Sequence, residues 1–348
     1  TGLFSSVGNT LITVSATATA TYTYNTFATC TYATNLNTQC CGSATAIDIG
    51  SAVKTIASKA FYGCSTVTSV DFAGAGAVLS IGSDAFQGTS ITILDLSGLT
   101  NLTSIGPPKF SWYGPYPFRK MAKLVSVKLA GTVTYIGYLA FENNDALTNI
   151  DFSNAKNLLK IERNAFQSCD ALVKIDFSGA SNLITIGSSA FRSCKALESV
   201  DFSGASNLIT ISSYAFWECK ALESVDLSGA MKLMTIKEKA FNACPKLKTV
   251  KLSSSITTIE KSAFTSTSLT PADVDFNGCE CGAVTKSAGT SKPFPWACPN
   301  IPSFIPTQST FCVAGMPCTF NFTFASLIDT PITRPHIKLV APGTVCGT

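Results

Sequence analysis

The sequence predicts a repeat solenoid, built mainly of short β-strands with short helical turns and closed at each end by β-rich, disulfide-containing modules. Three observations predict it. IERNAFQSCDALVKIDFSGASNLIT (161–185) is followed at once by its near copy IGSSAFRSCKALESVDFSGASNLIT (186–210). Related segments recur at an almost constant period, and self-similarity of that kind outranks length as a guide to architecture. The 14 cysteines divide into five that hold one place in the repeat and nine that cluster outside it.

Aligned on the phenylalanine of the Ala-Phe pair, the repeats place Phe61, Phe86, Phe110, Phe141, Phe166, Phe191, Phe216, Phe241 and Phe264 in one column, about nine coils. The spacings are 25, 24, 31, 25, 25, 25, 25 and 23, so six extra residues enter the fourth coil. Within a coil, Leu197, Val200 and Phe202 alternate with Ser199 and Asp201 and are broken by Ser-Gly, the pattern of a short strand and turn. The SSAFRSC segment reads as a short helical turn. One coil has a single layer of residues and cannot bury Leu197, Phe202, Ile186 and Phe191; stacked neighbours can. Each buried Phe or Leu contributes roughly 1.5–3 kcal/mol, more than a surface ion pair. At about 4.8 Å per strand, nine coils make a rod on the order of 45 Å long.

Composition excludes several classes. The chain is 13% charged and 46% hydrophobic with a net charge of +4, too apolar for a disordered chain and too weakly basic for a nucleic-acid partner. No run reaches 18 apolar residues, so no membrane span is expected. The sequence opens on Thr1 and its first methionine is Met121, which fits a mature product after signal removal or a fragment of a longer chain.

The motif Ile-x-x-x-Ala-Phe followed by Leu-x-x-Val-x-Phe resembles the BspA-like, or treponemal-type, leucine-rich repeats over about residues 46–270. The resemblance implies a parallel solenoid with a concave sheet, in cell-surface proteins used for adhesion and protein binding. It implies no catalytic residue and no cofactor.

On this reading the chain divides into a Thr-rich strand segment and cap (1–45), the leucine-rich-repeat solenoid (46–270), a Cys-rich cap (271–300) and a partial β-sandwich-like module (301–348). Cys64, Cys169, Cys194, Cys219 and Cys244 read as small buried hydrophobes. Cys30, Cys40, Cys41, Cys279, Cys281, Cys298, Cys312, Cys318 and Cys346 read as disulfides sealing the ends, hence an oxidising, extracellular compartment. Nine cannot all pair among themselves: one is free, pairs with a repeat cysteine such as Cys64, or crosses to another chain. Ile12 to Tyr24 alternates without fault and reads as one long strand that must be paired, conceivably with a neighbouring copy.

Four features are candidates for function. The sequons at Asn101 and Asn321 are acceptors for N-glycans, and the Thr-rich face near the N-terminus for O-glycans. Asp71, Asp95, Asp151, Asp176, Asp201 and Asp226 share one outward place. They read either as a stripe for cations or a basic partner, or as carboxylates bonded to the turn amides just ahead. The inserted loop carries Trp112, Tyr113, Tyr116 and Phe118 among four prolines, stiff aromatic anchors that lose little entropy on binding. His336 is the only histidine, which leaves little basis for histidine-dependent catalysis. The expected function is a non-enzymatic extracellular assembly protein whose partners are its own copies, or alternatively an adhesion module for a host protein or glycan.

Overall fold

The computed structural model describes residues 44–51, 53–106, 116–269 and 274–275, together with the backbone of five strands outside them: Thr10–Ser15, Thr21–Tyr24, Thr29–Thr31, Thr285–Lys286 and Ile332–Thr333. Its body is a stack of coils held by three sets of inter-coil ladders.

The first ladder uses three-residue strands such as Lys174–Asp176, Ser199–Asp201 and Ser224–Asp226, which pair in parallel with Val200 on Ile175 and Val225 on Val200. The middle residue points inward and its polar neighbours outward, as the alternation predicts. The second ladder uses two-residue strands, with Ile186 stacked on Ile161 and Ile211 on Ile186.

The third ladder corrects an expectation. The Ala-Phe segment forms no helix; it is a chain of turns in which successive amides choose different partners. Ala190 N, Arg192 N and Cys194 N donate three residues back within the coil, to Gly187 O, Ser189 O and Phe191 O. The amides between them, Ser189 N, Phe191 N and Ser193 N, donate to Ser213 O, Ala215 O and Trp217 O of the next coil at 2.7–3.0 Å. That alternation needs a left-handed residue on each side of the phenylalanine. Among the described residues fifteen non-glycine residues have φ of 53–61°, and each lies two before or two after a column phenylalanine. Each such residue costs about 1–2 kcal/mol, which the inter-coil ladder over-determines.

The core is two columns of rings. Phe61, Phe86, Phe118, Phe141, Phe166, Phe191, Phe216, Phe241 and Phe264 stack at 5.0–5.7 Å between centroids, nine rings spanning eight turns. Phe152, Phe177 and Phe202 stack beside them and meet the first column edge-on at 6.1–6.4 Å.

Phe118, not Phe110, occupies the third place in the column. Ile186 precedes Phe191 by five residues, whereas Ile105 precedes Phe118 by thirteen. The insertion therefore holds eight residues and lies before the ring, and Phe110 falls outside the described residues. Phe118 is fully buried, so it is a core residue and not part of an exposed recognition loop.

The expected long strand is also corrected. β1 (Thr10–Ser15) and β2 (Thr21–Tyr24) pair antiparallel, with Ile12 opposite Tyr24 and Val14 opposite Tyr22. β3 (Thr29–Thr31) pairs antiparallel with β2, and β1 adds in parallel to β4 (Ala44–Ile49), the first solenoid strand. The segment is thus paired within its own chain and caps the sheet edge that a coil stack leaves open. At the other end Ile332–Thr333 pairs antiparallel with Thr258–Ile259. The remainder of the expected 301–348 module, with Asn321 and His336, lies outside the described residues, as do the side chains of Cys30, Cys40, Cys41, Cys279, Cys281, Cys298, Cys312, Cys318 and Cys346.

The Ser-Gly turns are close-packed where coils meet. A Cβ on Gly204 would fall 1.9 Å from Ser178 O and 2.4 Å from its carbonyl carbon, backbone that cannot swing aside. On Gly74 the nearest atom would be Ile49 O at 4.0 Å, an ordinary contact. Gly204→Ala is therefore expected to lower unfolding free energy by about 1–3 kcal/mol through overpacking. Gly74→Ala should be near neutral in the same urea titration.

Candidate interaction surface

The base of the inserted loop is a rigid polar and aromatic cluster. Tyr116 N donates to Ser83 Oγ at 3.2 Å, Tyr116 O accepts from Asp84 N at 3.1 Å, and the Tyr116 ring meets Tyr138 edge-on at 5.7 Å. The Arg119 guanidinium lies 5.7 Å from the Tyr116 ring centre and donates through Nε to Glu142 Oε2 at 2.5 Å. Glu142 is nearly buried, so this charge-assisted bond fixes the arginine more firmly than a surface pair would. Tyr116 is half-buried; Trp112 and Tyr113 lie outside the described residues.

A second cluster on the same turn ladder escaped the sequence reading. The Arg192 guanidinium stacks 4.1 Å over Trp217, Tyr214 meets Trp217 edge-on at 5.4 Å, and Lys239 Nζ lies 5.4 Å from the Tyr214 ring centre. These residues come from three consecutive coils and sit far apart along the chain. Reading down the repeat column, where Arg192, Trp217 and Asn242 follow their phenylalanines, exposes the pairing.

The aspartate row serves the fold first. In Asp71, Asp95, Asp151, Asp176, Asp201 and Asp226 one carboxylate oxygen accepts the amide two residues ahead at 2.7–3.0 Å, as in Ser203 N to Asp201 Oδ1. Lysines take the second oxygen of three: Lys128 on Asp95, Lys174 on Asp176 and Lys251 on Asp226. Burial opposes ionisation of Asp95 and Asp226, but bonds from Ser97 or Ser228 and the neighbouring lysine outweigh it and hold both pKa values below the usual carboxylate range. Asp176 is lowered chiefly by the bonds from Ser178. Asp48 moves the other way, raised by burial and then by Asp71 alongside it. Among the described residues no group of three His, Cys, Asp or Glu is placed to hold a metal ion.

The cysteine column is buried. Cys169, Cys194, Cys219 and Cys244 are free thiols that donate to the phenylalanine carbonyl of the preceding coil at 3.3–3.4 Å. Burial pushes the Cys194 thiol up to about 12 and Cys169 and Cys219 up as well, so thiolate chemistry is suppressed at neutral pH. Cys64 is buried like them but disulfide-bonded, the pairing that the odd number of cysteines outside the repeats left open for it.

Residues 35–114, 113–205 and 160–279 match the BspA type leucine rich repeat region, in six copies. None of the curated proteins matches the chain. Among solved structures, a leucine-rich repeat protein from Bacteroides ovatus is similar at 20% identity over 69% of this chain and 74% of that one, with a TM-score of 0.38. The T. pallidum leucine-rich repeat protein is similar at 23% identity over 61% and 73%, with a TM-score of 0.36. The pneumococcal vaccine antigen PcpA is similar at 20% identity over 65% and 55%, with a TM-score of 0.37.

Proposed function

Because this chain belongs to the BspA-type leucine-rich-repeat family, we propose that it is a non-enzymatic interaction module on an extracellular surface. In this reading the solenoid is a rigid spacer that holds a protein or glycan partner at the inserted loop. One observation carries the reading: eight extra residues, with Trp112 and Tyr113 among them, enter a regular coil immediately before Tyr116 in sequence, and Tyr116 belongs to the fixed cluster with Tyr138, Arg119 and Glu142. A stiff base spares a binding loop part of its ordering cost. Disulfides among the flanking cysteines and O-glycans on the Thr-rich segment fit export, and among the described residues no helix is long and apolar enough to cross a membrane.

Replacing Trp112 and Tyr113 together by alanine is expected to reduce binding to cells or matrix at least tenfold while leaving the melting temperature unchanged. Unchanged binding would remove the loop from the reading.

Assembly of copies into a filament or coat is the second reading. It is weakened because β1 is paired within its own chain, and it keeps one observation: β3 stands at the end of its sheet's strand order, where another chain could add. Light scattering of the same preparation separates the two, a growing particle favouring assembly and a single species favouring recognition.

A further inference from the structure

Asparagines stand at one register position along the solenoid, four residues before the inward isoleucine of the second ladder: Asn101, Asn157, Asn182 and Asn207. Three of them are tied to neighbouring coils. Asn157 Nδ2 donates to Gly131 O at 2.8 Å, Asn207 Nδ2 donates to Ser181 O at 2.9 Å, and Asn182 Oδ1 accepts from Asn207 at 3.4 Å. Asn101 is exposed and makes no side-chain hydrogen bond among the described residues. It alone of the four has threonine two residues on, at the equally exposed Thr103, while the residue between them, Leu102, is buried and anchors the turn.

We infer that Asn101 is an N-glycan acceptor and that the coil carrying the inserted loop is thereby the glycosylated one. The transfer is balanced: Asn101 Nδ2 forms a bond to C1 of a sugar carried on a lipid diphosphate, the C1–O bond breaks, the lipid diphosphate leaves with the electron pair, and one amide proton is lost. The freedom of its amide is what makes the modification compatible with the folded coil. At Asn157 the same linkage would cost a hydrogen bond to Gly131; at Asn101 it costs none. Asn101 lies six residues before the inserted segment begins, on the coil into which that segment is inserted.

The inference rests on the exported location in the proposed function, and its test forces export so that the two can fail separately. The full chain is secreted from eukaryotic cells behind a cleavable leader, digested with peptide N-glycosidase in heavy-oxygen water, and mapped by mass spectrometry. Conversion of Asn101 to labelled aspartate in most chains is expected. It should vanish in Asn101→Gln and Thr103→Ala and persist in Thr103→Ser. Secreted, folded chains with unmodified Asn101 would overturn the assignment. Leu159→Thr supplies a second arm, since it gives Asn157 a sequon. Molecules glycosylated at Asn157 should melt below the same variant secreted with N-glycosylation blocked, in which the amide still reaches Gly131, whereas blocking glycosylation at Asn101 alone should not raise the melting temperature; equal rises at the two sites would overturn the register argument. Where the natural protein resides is a separate measurement, and it bears on the functional reading alone.

Discussion

Phe191→Ala is expected to lower the unfolding free energy by about 3–5 kcal/mol, the range for removing a fully buried aromatic ring. Phe191 is stacked at 5.2 Å on Phe166 and 5.3 Å on Phe216, and it meets Phe177 edge-on at 6.1 Å. Its removal breaks three ring contacts and opens a cavity in the middle of a one-dimensional stack, where only the adjoining coils can relax. In a repeat protein stability is approximately a sum of coil terms and nearest-neighbour interfaces. A break at the centre should therefore do more than shift a midpoint. It should split urea unfolding into two transitions, with the coils on either side losing their mutual support. Phe264→Ala, at the last position of the column, should shift the midpoint without splitting it, because that ring has one stacking neighbour in the column, Phe241. Circular dichroism with tyrosine and tryptophan fluorescence on the two variants checks this: Trp217 reports the coils after Phe191. A single unsplit transition in Phe191→Ala would mean that the three backbone ladders, and not the rings, couple the coils.

Much of this architecture was legible because its determinants are local and repeated. The column phenylalanine, the inward valine and isoleucine and the Asp-x-Ser turn recur at one spacing, so each coil restates the fold. The inserted coil was misread for a physical reason. Counting forward from Ile105 lands on Phe110 after five residues, as Ile186 leads to Phe191. Counting back from the inward valine gives the other answer: Val200 follows Phe191 by nine, and Val127 follows Phe118 by nine. The strand is the stricter reference, because its ladder fixes Val127 between Leu94 and Ile150. The Met121 side chain, three after Phe118, then falls where later coils have cysteine.

The helical turn was misread because residues such as Ser189, Tyr214 and Leu139 carry no sign that they adopt left-handed φ. Gly63 and Gly88, with Asp84, Asn143 and Asn164, hint at it at the matching places. The N-terminal segment offered a strand pattern but no turn, since Ala16 to Ala20 contains no Gly, Pro, Asn or Asp. Its pairing partner β4 belongs to the solenoid and could not be seen from the segment alone. As for the interaction surface, the loop announced itself by composition. Its base did not, because Tyr138 and Glu142 lie in the next coil and acquire their role only through stacking.

Asn144 ties the coil that carries the insertion to the next one, and Asn144→Ala is expected to cost about 2–4 kcal/mol. It stands three after Phe141, the place of the column cysteines, and is fully buried. In several coils the amide at that place donates back to the phenylalanine carbonyl, as in Cys194 N to Phe191 O and Cys219 N to Phe216 O. In the inserted coil Met121 N donates instead to Asn144 Oδ1 at 2.7 Å, and Asn144 Nδ2 donates to Phe118 O at 3.0 Å and to Phe141 O at 2.9 Å. The side-chain amide therefore bridges the two coils, supplying an acceptor to one group and a donor to two others. Alanine would leave the Met121 amide buried without a partner, at about 1–3 kcal/mol, and would add a small cavity. Cysteine separates the two contributions. By analogy with Cys169, whose thiol donates to Phe141 O at 3.4 Å, Asn144→Cys keeps a donor for Phe118 O and fills much of the space, but it gives Met121 N no acceptor. It should recover about half the loss in thermal or urea unfolding. Full recovery by cysteine would show that the site needs volume alone. No recovery would show that the bond to Met121 carries the whole effect and that the inserted coil is held closed by that one acceptor.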